Sequence, residues 1–197
     1  MLKPVRATPP AVPLLSLEEA KVHCRVDTDD EDGLIEGLIA AATDHLDGWS
    51  GILGRCLVNQ QWRLGLIGFP TWGGVKLPFP DVSAASVSYV DENGDEQSLD
   101  DDLFEVVEGW GGSILRARSQ SQTWPAVSTD AAAPVAATIT AGYGSTAEDV
   151  PAAIRQAALL MVGHWYEHRQ AAVTGLTVAE LPMAVDALLA PHRLVRI

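Results

Sequence analysis

Basic residues are scarce in this chain: Lys and Arg total 13 against 26 Asp and Glu in 197 residues, a formal net charge of −13. A surface of that sign cannot hold the outside of a nucleic-acid duplex by counterion release, which excludes a repressor-like or histone-like role. Cysteine is scarcer still. Cys24 and Cys56 are too few for a disulfide framework and lack the CxxC spacing of a zinc or redox site, so both are expected to be reduced. No long hydrophobic run is present. The leader MLKPVRATPPAVP is broken by Pro4, Pro9, Pro10 and Pro13, so it supplies neither the apolar core of a signal peptide nor a membrane helix. Folding in the cytosol, with no membrane partner, is the expectation. A phosphate loop, a GxSxG elbow and a dinucleotide fingerprint are also missing; Gly109, Gly111 and Gly112 around Trp110 lack the strand-to-helix context those motifs need.

What is present suits one or two compact domains: 47% hydrophobic residues, 20% charged, 17 Gly and 12 Pro. The charge is unevenly placed. From Leu77 to Leu115 there are ten acids and no Lys or Arg, whereas the rest of the chain carries sixteen acids and thirteen bases. Asp91, Glu92, Asp95, Glu96, Asp100, Asp101 and Asp102 dominate that segment, which reads either as a well-solvated loop-rich surface or as a functional repulsive one.

Ser16 precedes Glu19 by three residues, the spacing of a capping box, and opens a short helix to about His23. Acids from Asp27 to Asp32 then precede Leu34, Ile35, Leu38, Ile39, Ala42, Leu46 and Trp49. Their spacings of 3, 4 and 7 make one apolar stripe on a helix expected to end near Gly51 or Gly54. From Leu57 the period changes: LVNQQWRLGL, VKLP, SVSYV, FEVV, SILRAR and Val135 to Thr140 read as five to seven short strands, with a tight turn at Asn93-Gly94 and a loop over TWPAVSTDAAAP. Helical character returns at Pro151 and continues through Ile154, Ala157, Ala158, Met161, Trp165 and His168 to about Ala172. A last helix starts at Pro182 and is stopped by Pro191, leaving a basic and apolar tail. The expected fold class is α+β, with a helical core from both chain ends (16–55 and 151–190) around a central antiparallel β-rich insertion (56–150). A flexible leader (1–15) and a docking tail (191–197) complete it.

Three motifs invite metal chemistry. His164-Trp-Tyr-Glu167-His168 matches HxxEH, which sets two imidazoles one helical turn apart beside a carboxylate. It needs a third ligand, and only Glu180 and Asp186 follow as carboxylates; ordinary helix positions, with His168 near a helix end, account for the motif better. His23 and Cys24 are adjacent, about 100° apart on a helix, and cannot easily chelate one ion. The DTDDED run at 27 to 32 lacks the Gly and Glu of a calcium loop and reads as a charged helix N-terminus. No metal, cofactor or catalytic residue is assigned. The six Trp residues are scattered, most of them expected in the core, with Trp72 and Trp110 in Gly-rich loops as candidate interface anchors.

LSLEEAKVHCRVDTDDEDGLIEGLIAAATDHLDGWSG resembles the N-terminal signature of the head-to-tail connector, or adaptor, proteins of tailed phages. IRQAALLMVGHWYEHRQA resembles the family's helix with its Trp-Tyr-acid-x-Arg ending, here Trp165, Tyr166, Glu167 and Arg169, and VDALLAPHRLVRI resembles its close. Relatives often have Asn where His168 stands. The Ala, Gly and Val-rich composition suits a prophage or a gene transfer agent of a high-GC bacterium.

The resemblance implies a non-enzymatic virion protein assembled in the bacterial cytoplasm. It would form a ring of many copies, expected to be a dodecamer, between the portal protein and a stopper or tail-completion protein, with DNA only as passing cargo. The tail His192, Arg193, Leu194, Val195, Arg196 and Ile197 would dock on the portal, its aliphatics buried and its Arg residues steering. A closed ring repeats identical acidic patches about one axis, so charges facing the lumen would repel phosphates and let a duplex slide. The competing function classes are a binding module with another partner and an HxxEH zinc hydrolase.

Overall fold

The computed structural model describes residues 1–70, 73–109, 111–168 and 183–194. Trp72, Trp110, Arg169, Glu180, Pro182, Val195, Arg196 and Ile197, all singled out above, lie outside the described residues. The elements run β1 (Val5–Thr8), α1 (Leu17–Cys24), α2 (Asp32–Leu46), β2 (Gln60–Leu66), β3 (Val75–Lys76), β4 (Val82–Val90), β5 (Glu96–Ser98), β6 (Phe104–Gly109), β7 (Gly112–Ala117), β8 (Val135–Ala141), α3 (Ala152–Glu167) and α4 (Met183–Leu189). The fold is α+β. Among the described residues it divides into two compact units, Met1–Ala11 with Asn59–Tyr143, and Val12–Val58 with 144–194.

The first unit is all β. Its larger sheet has the order β1-β2-β8-β4-β5 and a smaller one the order β3-β7-β6, every pairing antiparallel. Period two is strict where the core is made. Trp62, Leu64 and Leu66 of β2 are buried and lie opposite Ile139, Ala137 and Val135 of β8, while Arg63 faces out. A slip of one residue would turn every one of those side chains into solvent, so the pattern specifies the register. Phe79, fully buried, packs its ring 4.9 Å from that of Trp62. The loop between β7 and β8 carries no strand and is pinned by Trp124, which stacks on Phe69 at 4.8 Å and donates its indole N–H to the Pro70 carbonyl at 3.1 Å.

The leader is a correction. Val5–Thr8, expected to be flexible, pairs with β2 as the edge strand of the larger sheet, and Leu14 and Leu15 are each 1% exposed in the other unit. Four prolines suppress a helix but leave the stretch between Pro4 and Pro9 free to extend, and Pro9-Pro10 then ends the pairing because proline donates no N–H.

The second unit is helical. Ser16 caps α1 as expected: its hydroxyl accepts the Glu19 N–H at 3.1 Å and its own N–H donates to the Glu19 carboxylate at 2.9 Å. Helix α2 buries Ile35, Ile39, Ala42 and Leu46 on one stripe and ends at Leu46, earlier than Gly51. Asp47 is extended there and only 4% exposed, and its Oδ1 accepts the Leu57 N–H at 2.7 Å. That bond, with Gly48 at φ 75, turns the chain back on itself. Helix α3 buries Ile154, Ala157, Ala158, Met161 and Val162 against α1, α2 and α4.

Candidate interaction surfaces

The acidic segment lies in the β unit. Asp95, Glu92 and Glu96 are exposed on the β4–β5 hairpin, and Asp100, Asp101 and Asp102 are exposed on the turn before β6. Asp91 has a different task. Its Oδ1 accepts the N–H groups of Asn93 at 2.9 Å and Asp95 at 3.1 Å, and its Oδ2 accepts the Gln97 amide at 3.0 Å. Those bonds, the Gln97 amide foremost, hold its carboxyl below the ordinary range. Gly94 at φ 89 supplies the left-handed residue of the turn. Asp100 caps its own short turn through the Asp102 N–H at 2.9 Å. Asp91 and Asp100 therefore shape the surface, while Glu92, Asp95, Asp101 and Asp102 present charge from it.

The signature helix is a stitch. The Tyr166 hydroxyl donates to the Glu31 carboxylate, joining the end of α3 to the turn before α2. About three helix turns further back along α3, Arg155 pairs with Glu19 of the capping box. Lys21 closes the set, with Nζ 2.7 Å from Asp29 and 2.6 Å from Asp32. The Ser16 N–H first, and Arg155 among the lesser causes, lowers the Glu19 pKa, while Asp29 and Asp32 raise that of Lys21. The acids at 27 to 32 thus brace α1 against α2. Trp165 is half-buried and Glu167 is exposed.

The HxxEH pair does come together, with imidazole centroids 4.6 Å apart. His168 Nδ1 lies 2.9 Å from the His164 carbonyl and so terminates the helix. Among the described residues no group of three His, Cys, Asp or Glu side chains is placed to hold a metal. Asp186, one of the two carboxylates available as a third ligand, is instead paired with Arg193 at 2.7 Å. Cys24, half-buried beside Glu167, has its thiol pKa pushed up by burial and then by that charge, the opposite of a reactive thiolate.

The start of the tail is held within its own unit: the Leu194 N–H donates to the Leu53 carbonyl at 2.9 Å, and Arg193 is engaged with Asp186. His192 is half-buried in a short 3-10 turn. Two surfaces escaped sequence reasoning. Val22 of α1 is 74% exposed, between a groove of about 450 Å³ walled by Glu19 and Leu159 and one of about 490 Å³ walled by Leu17 and Val26. The other is the stretch around β1, where Lys3 and Arg6 are exposed. No helix of the described residues is long and apolar enough to cross a membrane.

These features define a two-unit α+β chain whose helices are tied by side-chain stitches and which offers charged surfaces. Residues 15–107 match the model of the phage gp6-like head-tail connector protein family, so the resemblance read from the sequence holds over that span. Among solved structures the chain is similar to one in the neck of an empty gene transfer agent particle computed with sixfold (C6) symmetry, at 25% identity and a TM-score of 0.77, covering 100% of this chain and 97% of that one. It is similar at 23% identity to a chain of the virion of a native gene transfer agent particle, with a TM-score of 0.76 and coverage of 100% and 97%. A neck computed with twelvefold (C12) symmetry contains a further likeness, at 24% identity, a TM-score of 0.66 and coverage of 98% and 97%. No curated protein matches the chain.

Proposed function

We propose that this chain is a structural head-tail connector of a phage or gene-transfer particle, a ring of copies below the portal that joins the head to a stopper or tail component. The observation that carries the reading is whole-length similarity to a neck chain, 100% of this chain against 97% of that one at a TM-score of 0.77, together with the connector family match over 15–107. The symmetry of those necks supports ring assembly. The protein works by surface fit, with no bond made or broken. The exposed acids Glu92, Asp95, Asp101 and Asp102 would repel phosphates wherever the ring brings them near DNA.

The tail would dock on the portal through Leu194, Val195 and Ile197, with Arg196 steering. Truncation after Leu194 keeps the Leu194 to Leu53 bond and is expected to leave a folded chain that no longer joins heads; normal particles from it would refute the tail assignment. The reading as a whole is tested by deleting the gene and imaging the particles. Filled heads without tails are expected, and their neck density should return with the full chain. Mature particles that lack this polypeptide would overturn the proposal.

A further inference from the structure

The chain holds two asparagines, Asn59 and Asn93, and only Asn93 is followed by glycine. Asn93 and Gly94 are both exposed at the tip of the β4–β5 hairpin, and a Cβ placed on Gly94 would meet no atom within 4 Å. Asn59 is half-buried and its successor Gln60 is buried at the start of β2. The main-chain nitrogen that follows an asparagine can attack the side-chain carbon Cγ and close a cyclic imide. A side chain on the following residue crowds that approach, and glycine has none. Sequence, exposure and open space therefore converge on Asn93 and turn away from Asn59.

The turn itself opposes the attack. The Gly94 N–H donates to the Asp91 carbonyl at 3.0 Å and the Asp91 N–H to the Asp95 carbonyl at 2.9 Å. Asp91 Oδ1 accepts the N–H groups of Asn93 and Asp95, and its Oδ2 is held by the Gln97 amide. The attacking nitrogen is thus tied to Asp91 and reaches Cγ only when the turn opens. All of these side-chain bonds lie at exposed positions, where local opening costs least.

We propose that Asn93 is a site of spontaneous deamidation and that Asp91 is its lock. In the open turn the Gly94 nitrogen gives its proton to hydroxide and bonds to Asn93 Cγ; the Cγ–Nδ2 bond breaks, and the nitrogen takes a proton from water and leaves as ammonia. Water then opens the imide. Cleavage at Cγ restores the ordinary main chain with aspartate at this position, whereas cleavage at the main-chain carbonyl leaves isoaspartate, whose main chain is one carbon longer. The net reaction consumes one water and releases one ammonia, with no oxidant or cofactor. Either product adds a negative charge to a hairpin that already exposes Glu92, Asp95 and Glu96. Isoaspartate also lengthens the path between Asp91 and the Asp95 N–H that it must reach. The chemistry depends on the hairpin alone and holds whatever the role of the chain.

The test incubates the full chain at mildly alkaline pH, folded in buffer and unfolded in urea, and follows the Asn59 and Asn93 peptides by chromatography and mass spectrometry. In the folded chain the Asn93 peptide is expected to exchange its amide for an acid and to resolve into two products, while the Asn59 peptide stays unchanged. Its rate should lie at least about tenfold below that of the unfolded chain, because only the open fraction reacts. Asp91→Ala is expected to close most of that gap and Gln97→Ala part of it, with circular dichroism showing that each variant is folded. Should Asp91→Ala fail to fold, Gln97→Ala at its exposed position carries the same comparison. An Asn93 that stays intact in the folded chain after the unfolded chain has converted overturns the site, as does equal conversion of Asn59. Equal rates in folded and unfolded chains, or folded variants no faster than the original, overturn the lock.

Discussion

Tyr166→Phe is the sharpest test of whether the Trp-Tyr-acid-x-Arg signature is a contact surface or an internal stitch. The substitution keeps the ring and deletes the hydroxyl that donates to Glu31. A hydrogen bond to a charged group contributes about 1.5–3 kcal/mol when well buried. Tyr166 is only half-buried, so about 1–2 kcal/mol is the reasonable loss for the helical unit. With a urea slope of about 2 kcal/mol/M, that moves the midpoint of the helical transition by roughly 0.5–1 M. The measurement is urea unfolding followed by far-ultraviolet circular dichroism. Glu31→Ala should destabilise similarly, and the double variant should be clearly less destabilised than the sum, since both delete one bond. A Tyr166→Phe protein of unchanged stability that fails to assemble would refute the stitch and make Tyr166 a contact residue. Strict additivity would show that the bond carries nothing.

Other outcomes follow from the same geometry. Ser16→Ala removes the acceptor for the Glu19 N–H and should destabilise the helical unit by about 1 kcal/mol in a thermal melt. Gly51→Ala places a Cβ 2.4 Å from the carbonyl oxygens of Leu46 and Asp47; the turn after α2 must open, and a loss of about 1–3 kcal/mol is expected in urea unfolding. Glu19, Asp29 and Asp91, and also Asp149, whose carboxylate accepts the Thr146 N–H at 2.9 Å, all have folded pKa values below their ordinary ones. Their contribution is complete above the unfolded values of 4.5 for Glu19 and 3.8 for the Asp residues and is lost as pH falls through the lower folded values. Stability measured from pH 6 down to pH 2 should therefore fall below about pH 4.5; a flat profile would refute those bonds.

The helices were legible because their signals are local. Ser16 and Glu19 form the capping box that their spacing announces, and Ile35, Ile39, Ala42 and Leu46 bury the stripe that their period announces. The end of α2 was not legible, since it depends on Asp47 meeting the Leu57 N–H ten residues on, which no periodicity encodes. The same holds for β1: Val-Arg-Ala-Thr has no alternation to read, and it becomes a strand only because β2 offers an edge. Acidic residues were found but their division of labour was not. Asp91 and Glu92 are neighbours of identical charge, yet one ties the hairpin and the other is exposed; the difference lies in which carboxylate can reach the turn N–H groups. Tyr166 was identified by resemblance alone, and its partner Glu31, 135 residues away, required the structure.

The two units answer to different constraints. In the helical unit Glu19, Lys21, Glu31, Arg155 and Tyr166 are each engaged with a partner in another element or turn, so changing one strands another, and substitutions there must come in pairs. In the β unit the interior asks only for alternate apolar residues, as in β2 and β8, and leaves the outward positions and edges free to carry whatever charge a neighbour requires. A connector needs both properties: a scaffold that resists drift, and an adaptable surface with which to meet its neighbours.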